Sequence, residues 1–130
     1  VGSIVCSHTE AELRELLQPE KFLAQMPDSS KRGGTTDPVE MEEGLRQYLP
    51  DDMTFQKAFE KTGRAMNVSI APAETHQTSR LLNATTSPSV LMRSAVMASA
   101  AVPGSVPPVP RQGLDDSGQR TTYRARGRWV

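Results

Sequence analysis

Few side chains in this sequence could act together as a nucleophile and its base. Cys6 and His8 are the nearest such pair, and a thiolate with a histidine base performs acyl transfer through a covalent intermediate. On a helix, residues two apart point about 200° away from each other, so these two side chains diverge. The spacing therefore favours a buried cysteine and a surface histidine over a catalytic pair.

Ser3 is the other candidate nucleophile, because it follows Gly2 and precedes two β-branched residues. A serine on a sharp strand-to-helix turn needs a glycine on each side, in the pattern G-x-S-x-G, so that no side chain crowds its hydroxyl. This pattern cannot be written around Ser3. We expect Ser3 to be structural, and we expect packing and turn roles for Ser99 and Ser105.

Composition argues against several classes of function. Cys6 is the only cysteine, so the chain alone can form neither a disulfide nor a thiolate metal site, and we expect no metal or cofactor. A single cysteine also favours a reducing, intracellular compartment. Fifteen basic residues balance fifteen acidic ones, which argues against a nucleic-acid partner. The longest apolar stretch, residues 90–102, contains Arg93 and is far shorter than the roughly 20 residues of a membrane span.

The elements that position these residues begin with two short helices. Thr9, with Glu12 three residues later, predicts the start of the first helix, and Pro19 predicts its end. Residues 26–38 contain two prolines and two adjacent glycines, which predicts a surface loop. Apolar residues at helical spacing then predict a second helix over 39–49.

A third helix runs into a strand. Thr54 predicts the start of this helix and Gly63 its end. The predicted inner face consists of Phe55, Ala58 and Phe59. The apolar period then changes from 3.6 to 2 at Met66, Val68 and Ile70, which predicts a strand with one buried face.

A nearly continuous apolar segment follows and predicts a buried core helix. Ser87 or Ser89 could cap its start, and Pro103 with Gly104 predicts its end. The final segment, RTTYRARGRWV after DDSG, predicts a β-hairpin. Its predicted apolar anchors are Tyr123 and Trp129. Helix, strand, buried helix and hairpin in this order predict an α/β layered domain.

Three blocks of sequence carry a resemblance to a known family. They are TFQKAFEKTGRAMNVSIAP, HQTSRLLNATTSP and VLMRSAVMASAAVPGSVPPV. In this order and spacing they resemble the patatin-like phospholipase family, in particular its bacterial and fungal branch with the yeast triacylglycerol lipases. The resemblance implies that residues 1–130 are part of a three-layer α/β/α sandwich. It also implies a serine hydrolase with a Ser-Asp dyad, so His76 is expected to make only a loop hydrogen bond.

On the family pattern, both ends of the chain lie beside catalytic motifs. VGSIV resembles the second half of the G-x-S-x-G elbow, with Gly2 as the closing glycine and Val1 as the residue after the nucleophile. The backbone N–H of Val1 would then face the developing oxyanion. Trp129 and Val130 resemble the strand that leads into the D-G motif of the catalytic aspartate. The resemblance thus places the serine just before Val1 and the aspartate just after Val130, and it implies that this segment alone is inactive.

The resemblance implies an acyl ester of a phospholipid or neutral glycerolipid as substrate. It also allows the protein to be attached peripherally to an intracellular membrane or to the surface of a lipid droplet. One departure from the family pattern is the short distance between Gly2 and the cap at Thr9, where family members have a helix of several turns. This departure keeps a non-catalytic relative, acting as a lipid-binding or protein-binding module, as the alternative.

Several residues further along could contact a lipid headgroup or pair within the protein, namely Arg80, Asn83 and Arg93. Because Arg93 lies among apolar neighbours, a structural ion pair is the favoured role for it. Met92 and Met97 are expected in the core, although in a lipase the same surface can line an acyl-chain tunnel.

Overall fold

The computed structural model describes residues 2–21, 37–72, 78–101 and 109–122. Within these ranges the elements follow in the order α1 Gly2–Ser7, α2 Glu10–Leu16, α3 Pro38–Arg46, α4 Phe55–Thr62, β1 Val68–Ile70, β2 Arg80–Leu82, α5 Met92–Ala100, β3 Gln112–Leu114 and β4 Arg120–Thr122.

Helix α2 begins with a capping box. The Thr9 hydroxyl accepts a hydrogen bond from the Glu12 N–H at 3.5 Å, and the Glu12 carboxylate accepts one from the Thr9 N–H at 2.7 Å. Both bonds satisfy backbone N–H groups that the first turn of a helix leaves without partners. The predicted start of the helix is confirmed, and α2 ends at Leu16, before Pro19, as expected.

Helix α3 starts at Pro38, the last residue of the predicted surface loop, and Asp37 caps it. The Asp37 side chain accepts a hydrogen bond from the Val39 N–H at 2.9 Å, and Pro38 occupies the first turn, where its missing N–H costs nothing. The predicted loop thus overlaps α3 at Pro38 only, and residues 26–36 lie outside the described ranges. The predicted helix is confirmed, and Leu49 beyond its end is fully buried.

Helix α4 is capped at both ends as predicted. The Thr54 hydroxyl accepts a hydrogen bond from the Lys57 N–H at 3.2 Å, and Gly63 closes the helix in the left-handed conformation, with φ of 68°. Phe55 is buried, as expected. Phe59 is 46% exposed instead, because it lies one turn further along, on the rim of the buried face.

The predicted strand is β1, and it pairs with a strand that the sequence pattern did not indicate. β1 and β2 are antiparallel, with Val68 opposite Leu82 and Ile70 opposite Arg80. Val68 and Ile70 are buried while the residue between them is exposed, which confirms the predicted alternation. β2 has only three residues, too few to show a period of two.

Helix α5 begins later than predicted. It starts at Met92 without a side-chain cap, so the predicted caps Ser87 and Ser89 are wrong. The residues just before Met92 form backbone hydrogen bonds with other parts of the chain. For example, the Val90 carbonyl accepts a hydrogen bond from the Phe55 N–H at 3.2 Å. A residue held in such a bridge cannot begin a helix at the same time.

The predicted hairpin consists of β3 and β4, joined by a turn in which Gly118 has φ of 79°. One carboxylate oxygen of Asp115 holds the turn, because it accepts from the backbone N–H groups of Ser117 and Gln119 at 2.9 Å each. The predicted anchors Tyr123 and Trp129 lie outside the described residues.

Helix α5 is the centre of the core, as predicted for the apolar segment. It contacts α1, α3, β1 and β3. Its buried residues are Met92, Arg93, Ser94, Ala95 and Met97. The mixture of helices and strands confirms the α/β class, whereas the three-layer sandwich stays a prediction, since the described strands form two separate antiparallel pairs. No described helix is long and apolar enough to cross a membrane.

Candidate functional site

Only one of the predicted elbow residues is described. Gly2 is exposed and begins α1, whereas Val1 lies outside the described residues, as do Trp129 and Val130. A Cβ atom placed on Gly2 would meet only the terminal methyl group of Met66, at 4.0 Å, which is ordinary van der Waals contact. The described residues therefore give no local reason for a glycine at position 2.

Helix α1, which carries Gly2, is packed firmly on its other side. Ser3, Ile4 and Ser7 are buried, and α1 contacts both α4 and α5. Ser3 therefore has a structural position, as expected, and its hydroxyl is not presented to solvent. The short helix has a fixed direction because one of its faces lies against two other helices.

The C-terminal end of α1 is closed by side chains from the last residue of α4 and from just after that helix. The Thr62 hydroxyl donates to the Cys6 carbonyl at 2.9 Å, and the Arg64 guanidinium donates to the carbonyls of Val5 and His8 at 3.0 and 3.2 Å. Carbonyls at a helix end have no partner within the helix, so these bonds satisfy them. Although α1 has only six residues, its end is held in place.

Ser7 and His8 are in contact but do not form a catalytic dyad. The His8 Nδ1 atom lies 2.9 Å from the Ser7 hydroxyl and 3.0 Å from the Ile4 carbonyl oxygen. Since a carbonyl oxygen only accepts, we assign the proton to Nδ1, and this nitrogen then has no lone pair to take the serine proton. The Ser7 hydroxyl is fully buried and itself donates to the Ile4 carbonyl.

The predicted environments of Cys6 and His8 are both wrong. His8 is only 9% exposed because its ring closes the last turn of α1, while Cys6 is half-buried. The prediction took the two residues as positions on one continuous helix, but the chain leaves α1 after Ser7. Their assignment as non-catalytic residues is unaffected.

Arg93 forms the predicted structural ion pair. Its side chain is 4% exposed, and its guanidinium contacts Asp51 and lies 3.5 Å from the Glu42 carboxylate. Arg46 and Arg120 extend the cluster, at 3.8 and 3.3 Å from Asp51. The hydrogen bond from Arg93, followed by the charges of the three arginines, holds the pKa of Asp51 below its usual value.

The remaining predicted residues lie apart from one another. Ser99 is exposed and donates to the Ser69 carbonyl at 2.8 Å, so it joins α5 to β1 by a hydrogen bond and not by the expected packing. Asn83 donates from its amide nitrogen to Asn67 at 2.9 Å, so it pairs within the protein. His76 and Ser105 lie outside the described residues. Met92 is fully buried, while Met97 lines a cavity of 290 Å³ beside α3 and β3.

No group of three or more metal-ligating side chains is found in the described part of the chain. The residues that sequence reasoning missed are Thr62 and Arg64. They flank the predicted cap Gly63, and no local signal could show that they reach a helix 56 to 59 residues earlier.

Comparison with known proteins identifies the family. The chain is 35% identical to a patatin-like phospholipase domain-containing protein of Cryptococcus neoformans, over 97% of its length. It is 34% identical to a protein of the same description from Yarrowia lipolytica, over 99% of its length. The chain belongs to the patatin-like phospholipase family. This patatin-like chain is also 34% identical, over 85% of its length, to the triacylglycerol lipase ptl2 of Schizosaccharomyces pombe. The resemblance in the sequence is thus confirmed.

This patatin-like chain spans less than a fifth of these relatives, namely 16%, 17% and 19% of their respective lengths. The match to the Cryptococcus protein extends over 136 residues, whereas the chain has 130. The relative therefore carries residues in this region that the chain lacks. No family model and no solved structure matches the chain.

Proposed function

We propose that the protein is a lipid acyl hydrolase that cleaves acyl esters of glycerolipids through a Ser-Asp dyad. In this proposal the serine immediately precedes Val1 and the aspartate immediately follows Val130, within a three-layer patatin-like sandwich. The observation that carries the proposal is the similarity of almost the whole chain to patatin-like phospholipase domain proteins and to a protein named triacylglycerol lipase.

The reaction follows the usual course of acyl transfer. The aspartate accepts the proton of the serine hydroxyl as the serine oxygen attacks the ester carbonyl, and a tetrahedral intermediate forms. The Val1 N–H donates to the negatively charged oxygen of this intermediate. The intermediate collapses, the alcohol leaves with the proton, and an acyl-serine remains. Water then attacks the acyl-serine, with the aspartate as base, and releases the fatty acid.

The role of the described residues in this proposal is to fix the direction of α1. A nucleophile elbow works only if the helix that follows it is rigid, because small displacements of reacting groups are costly in rate. The buried face of α1 and the bonds from Thr62 and Arg64 to its last carbonyls support such rigidity. We further propose peripheral attachment to an intracellular membrane or lipid droplet, where the substrate is found.

The test uses the full-length gene product with triolein and phosphatidylcholine as substrates. Replacing the serine before Val1 with Ala, or the aspartate after Val130 with Asn, is expected to lower kcat by about 1,000-fold or more and to abolish fluorophosphonate labelling in the serine variant. Ser3→Ala is the matched control, since Ser3 is buried, and it should keep both activity and labelling. The isolated 130-residue chain should show neither. Labelling of Ser3, or other residues at the two dyad positions, would overturn the proposal.

One observation favours a second candidate, a non-catalytic relative that binds lipid or protein. Helix α1 has only six residues, and at least one relative carries residues that this chain lacks. The same preparation distinguishes the two. A folded full-length product that binds lipid vesicles saturably, but has neither turnover nor labelling, would support the second candidate.

A further inference from the structure

Met66 lies beside the N-terminal end of α1, next to Gly2. A Cβ atom built on Gly2 would lie 4.0 Å from the ε-methyl carbon of Met66. We propose that Met66 is a specificity-determining residue that contacts the acyl chain of the substrate. This inference rests on the proposed function, in which the acyl chain is attached to the serine that precedes Val1.

The direction of the Cα–Cβ bond indicates which end of α1 the methionine reaches. In an α-helix this bond is tilted toward the N-terminus. The Met66 methyl group therefore meets Gly2 on the side where the proposed nucleophile precedes the helix. Because consecutive Cα atoms are about 3.8 Å apart, a serine two residues before Gly2 has its Cα atom within about 7.6 Å of the Gly2 Cα atom. A few methylene groups of an acyl chain span such a distance.

The segment that carries Met66 is attached to α1 at the opposite end of this helix as well. The Arg64 guanidinium donates to the Val5 carbonyl, in the last turn of α1, at 3.0 Å. Two residues later in the chain, Met66 reaches the first residue of the same helix. The segment thus follows α1 along its length, which keeps the methionine at the proposed elbow.

The surroundings of Met66 favour an apolar ligand. Met66 is half-buried and packs against the hydrophobic core, whereas Gly2, beside its methyl group, is exposed. Since Gly2 has no side chain, the space next to the methyl group is not filled from α1. A thioether side chain is flexible and apolar, so it can adapt to a neighbouring methylene chain. Contact with such a chain removes apolar surface from water on both sides.

The first experiment compares two substrates within each variant of the full-length gene product. The substrates are p-nitrophenyl decanoate and p-nitrophenyl acetate, and the measured quantity is the ratio of their kcat/KM values. Met66→Ala is expected to lower this ratio about tenfold or more, because the loss of methylene-sized contacts in an apolar site has an effect of that order. A smaller folded fraction would lower both rates equally and leave the ratio unchanged.

Met66→Leu and Met41→Ala are the controls. Leucine keeps most of the apolar volume, so Met66→Leu should retain most of the preference for the longer chain. Met41 is also a half-buried methionine but belongs to α3, and Met41→Ala should leave the ratio unchanged. If wild type hydrolyses the esters and the ratio is unchanged in Met66→Ala, or is lowered equally in Met41→Ala, the inference is overturned while the proposed hydrolase stands.

A second experiment decides the inference if wild type hydrolyses neither ester, in which case the proposed function has failed. NMR of isotope-labelled methionine methyl groups records the Met66 signal, which is identified by its absence in Met66→Leu. Addition of decanoate is expected to shift this signal and to leave that of Met41 unchanged. An unshifted Met66 signal, or equal shifts of both signals, would overturn the contact with an acyl chain as well.

Discussion

Arg93 is a charged residue whose side chain is buried. Its charged side chain is almost fully buried, whereas its partners Asp51 and Glu42 keep 58% and 36% of their side-chain surface exposed. Burying a charge is costly unless it is paired, and here the pairing comes from the loop after α3 and from α3 itself. Arg93 thus joins α5 to α3 and to the loop after α3 through one guanidinium.

Replacing Arg93 with Ala is expected to lower the free energy of unfolding by about 2 to 4 kcal/mol, because the ion pair and the buried side-chain volume are lost together. The control is Arg14→Ala, whose pair with Glu10 is exposed on both sides and should cost less than about 0.5 kcal/mol. Urea unfolding measures both variants. Similar effects for the two would show that burial adds nothing to the Arg93 pair.

The pKa of the Glu12 carboxyl group is strongly lowered in the folded protein. The hydrogen bond from the Thr9 backbone N–H, followed by that from Lys61, lowers its pKa from 4.5 to about 2. Since the folded pKa is below the unfolded one, this contribution to stability is fully present above pH 4.5. It is lost as the pH falls through about 2.

We therefore expect the stability of the protein to decline between pH 4.5 and about 2, and the decline to be smaller in Glu12→Gln. It will not vanish, because Asp51, Asp52 and Asp115 also have lowered pKa values through hydrogen bonds from neighbouring side chains. Thermal unfolding at a series of pH values measures this. An identical pH profile in wild type and variant would contradict the assigned role of Glu12.

At the scale of elements, Gly44 and Gly63 differ in whether the backbone conformation requires a glycine. Gly44 lies within α3 and Gly63 ends α4 with φ of 68°. A Cβ atom added at either position would meet no other atom within 4 Å, so only backbone conformation distinguishes them. The two positions can be compared directly, because an added side chain would be crowded at neither of them.

Gly44→Ala is expected to stabilise the protein by about 0.5 to 1 kcal/mol, since alanine restricts the unfolded chain and favours the helix. Gly63→Ala is expected to destabilise it by about 1 to 2 kcal/mol, because the left-handed conformation is strained for any residue with a Cβ atom. Differential scanning calorimetry of the two variants gives the signs. Effects of the same sign would be inconsistent with this explanation.

The elements that could be predicted from the sequence are those whose ends are determined locally. The caps at Thr9, Thr54 and Gly63 involve hydrogen bonds that reach four residues at most, so the residue types reveal them. The start of α5 could not be predicted, because Val90 forms a bridge with Gly113. β2 was missed because a strand of three residues is defined by its pairing with β1 and not by a pattern of its own.

The candidate site was predictable to a smaller extent. Gly2 was identified only through the family resemblance, because its immediate surroundings contain nothing that requires glycine. The contacts of Thr62 and Arg64 with α1 are long-range and depend on how α4 packs. A local pattern carries no information about such contacts.

At the scale of the whole molecule, Cys6 offers a direct test of how α1 is held, since it is the only thiol and lies half-buried at the end of this helix. Thr62→Val combined with Arg64→Ala should raise the rate of its reaction with an aromatic disulfide reagent roughly tenfold. The variant loses hydrogen bonds worth about 1 to 1.5 kcal/mol against local opening.

Glu60→Ala is the control for this experiment, because Glu60 bonds only to Gln56 within α4 in the described structure. It should leave the rate of thiol modification unchanged. If both variants accelerate the reaction equally, the thiol is reporting on α4 itself and not on the attachment of α1.

The attachment of α1 also has a consequence for synthesis on the ribosome. The residue that accepts from Thr62 is made 56 residues earlier, so α1 leaves the exit tunnel well before its partners. At 5 to 20 residues per second this delay is about 3 to 11 seconds. During that interval neither α4 nor α5 is present to cover the apolar side chain of Ile4, and we expect nascent-chain chaperones to bind there. Helix α1 is made before α4 and α5, and it can pack against these two helices only after they have formed.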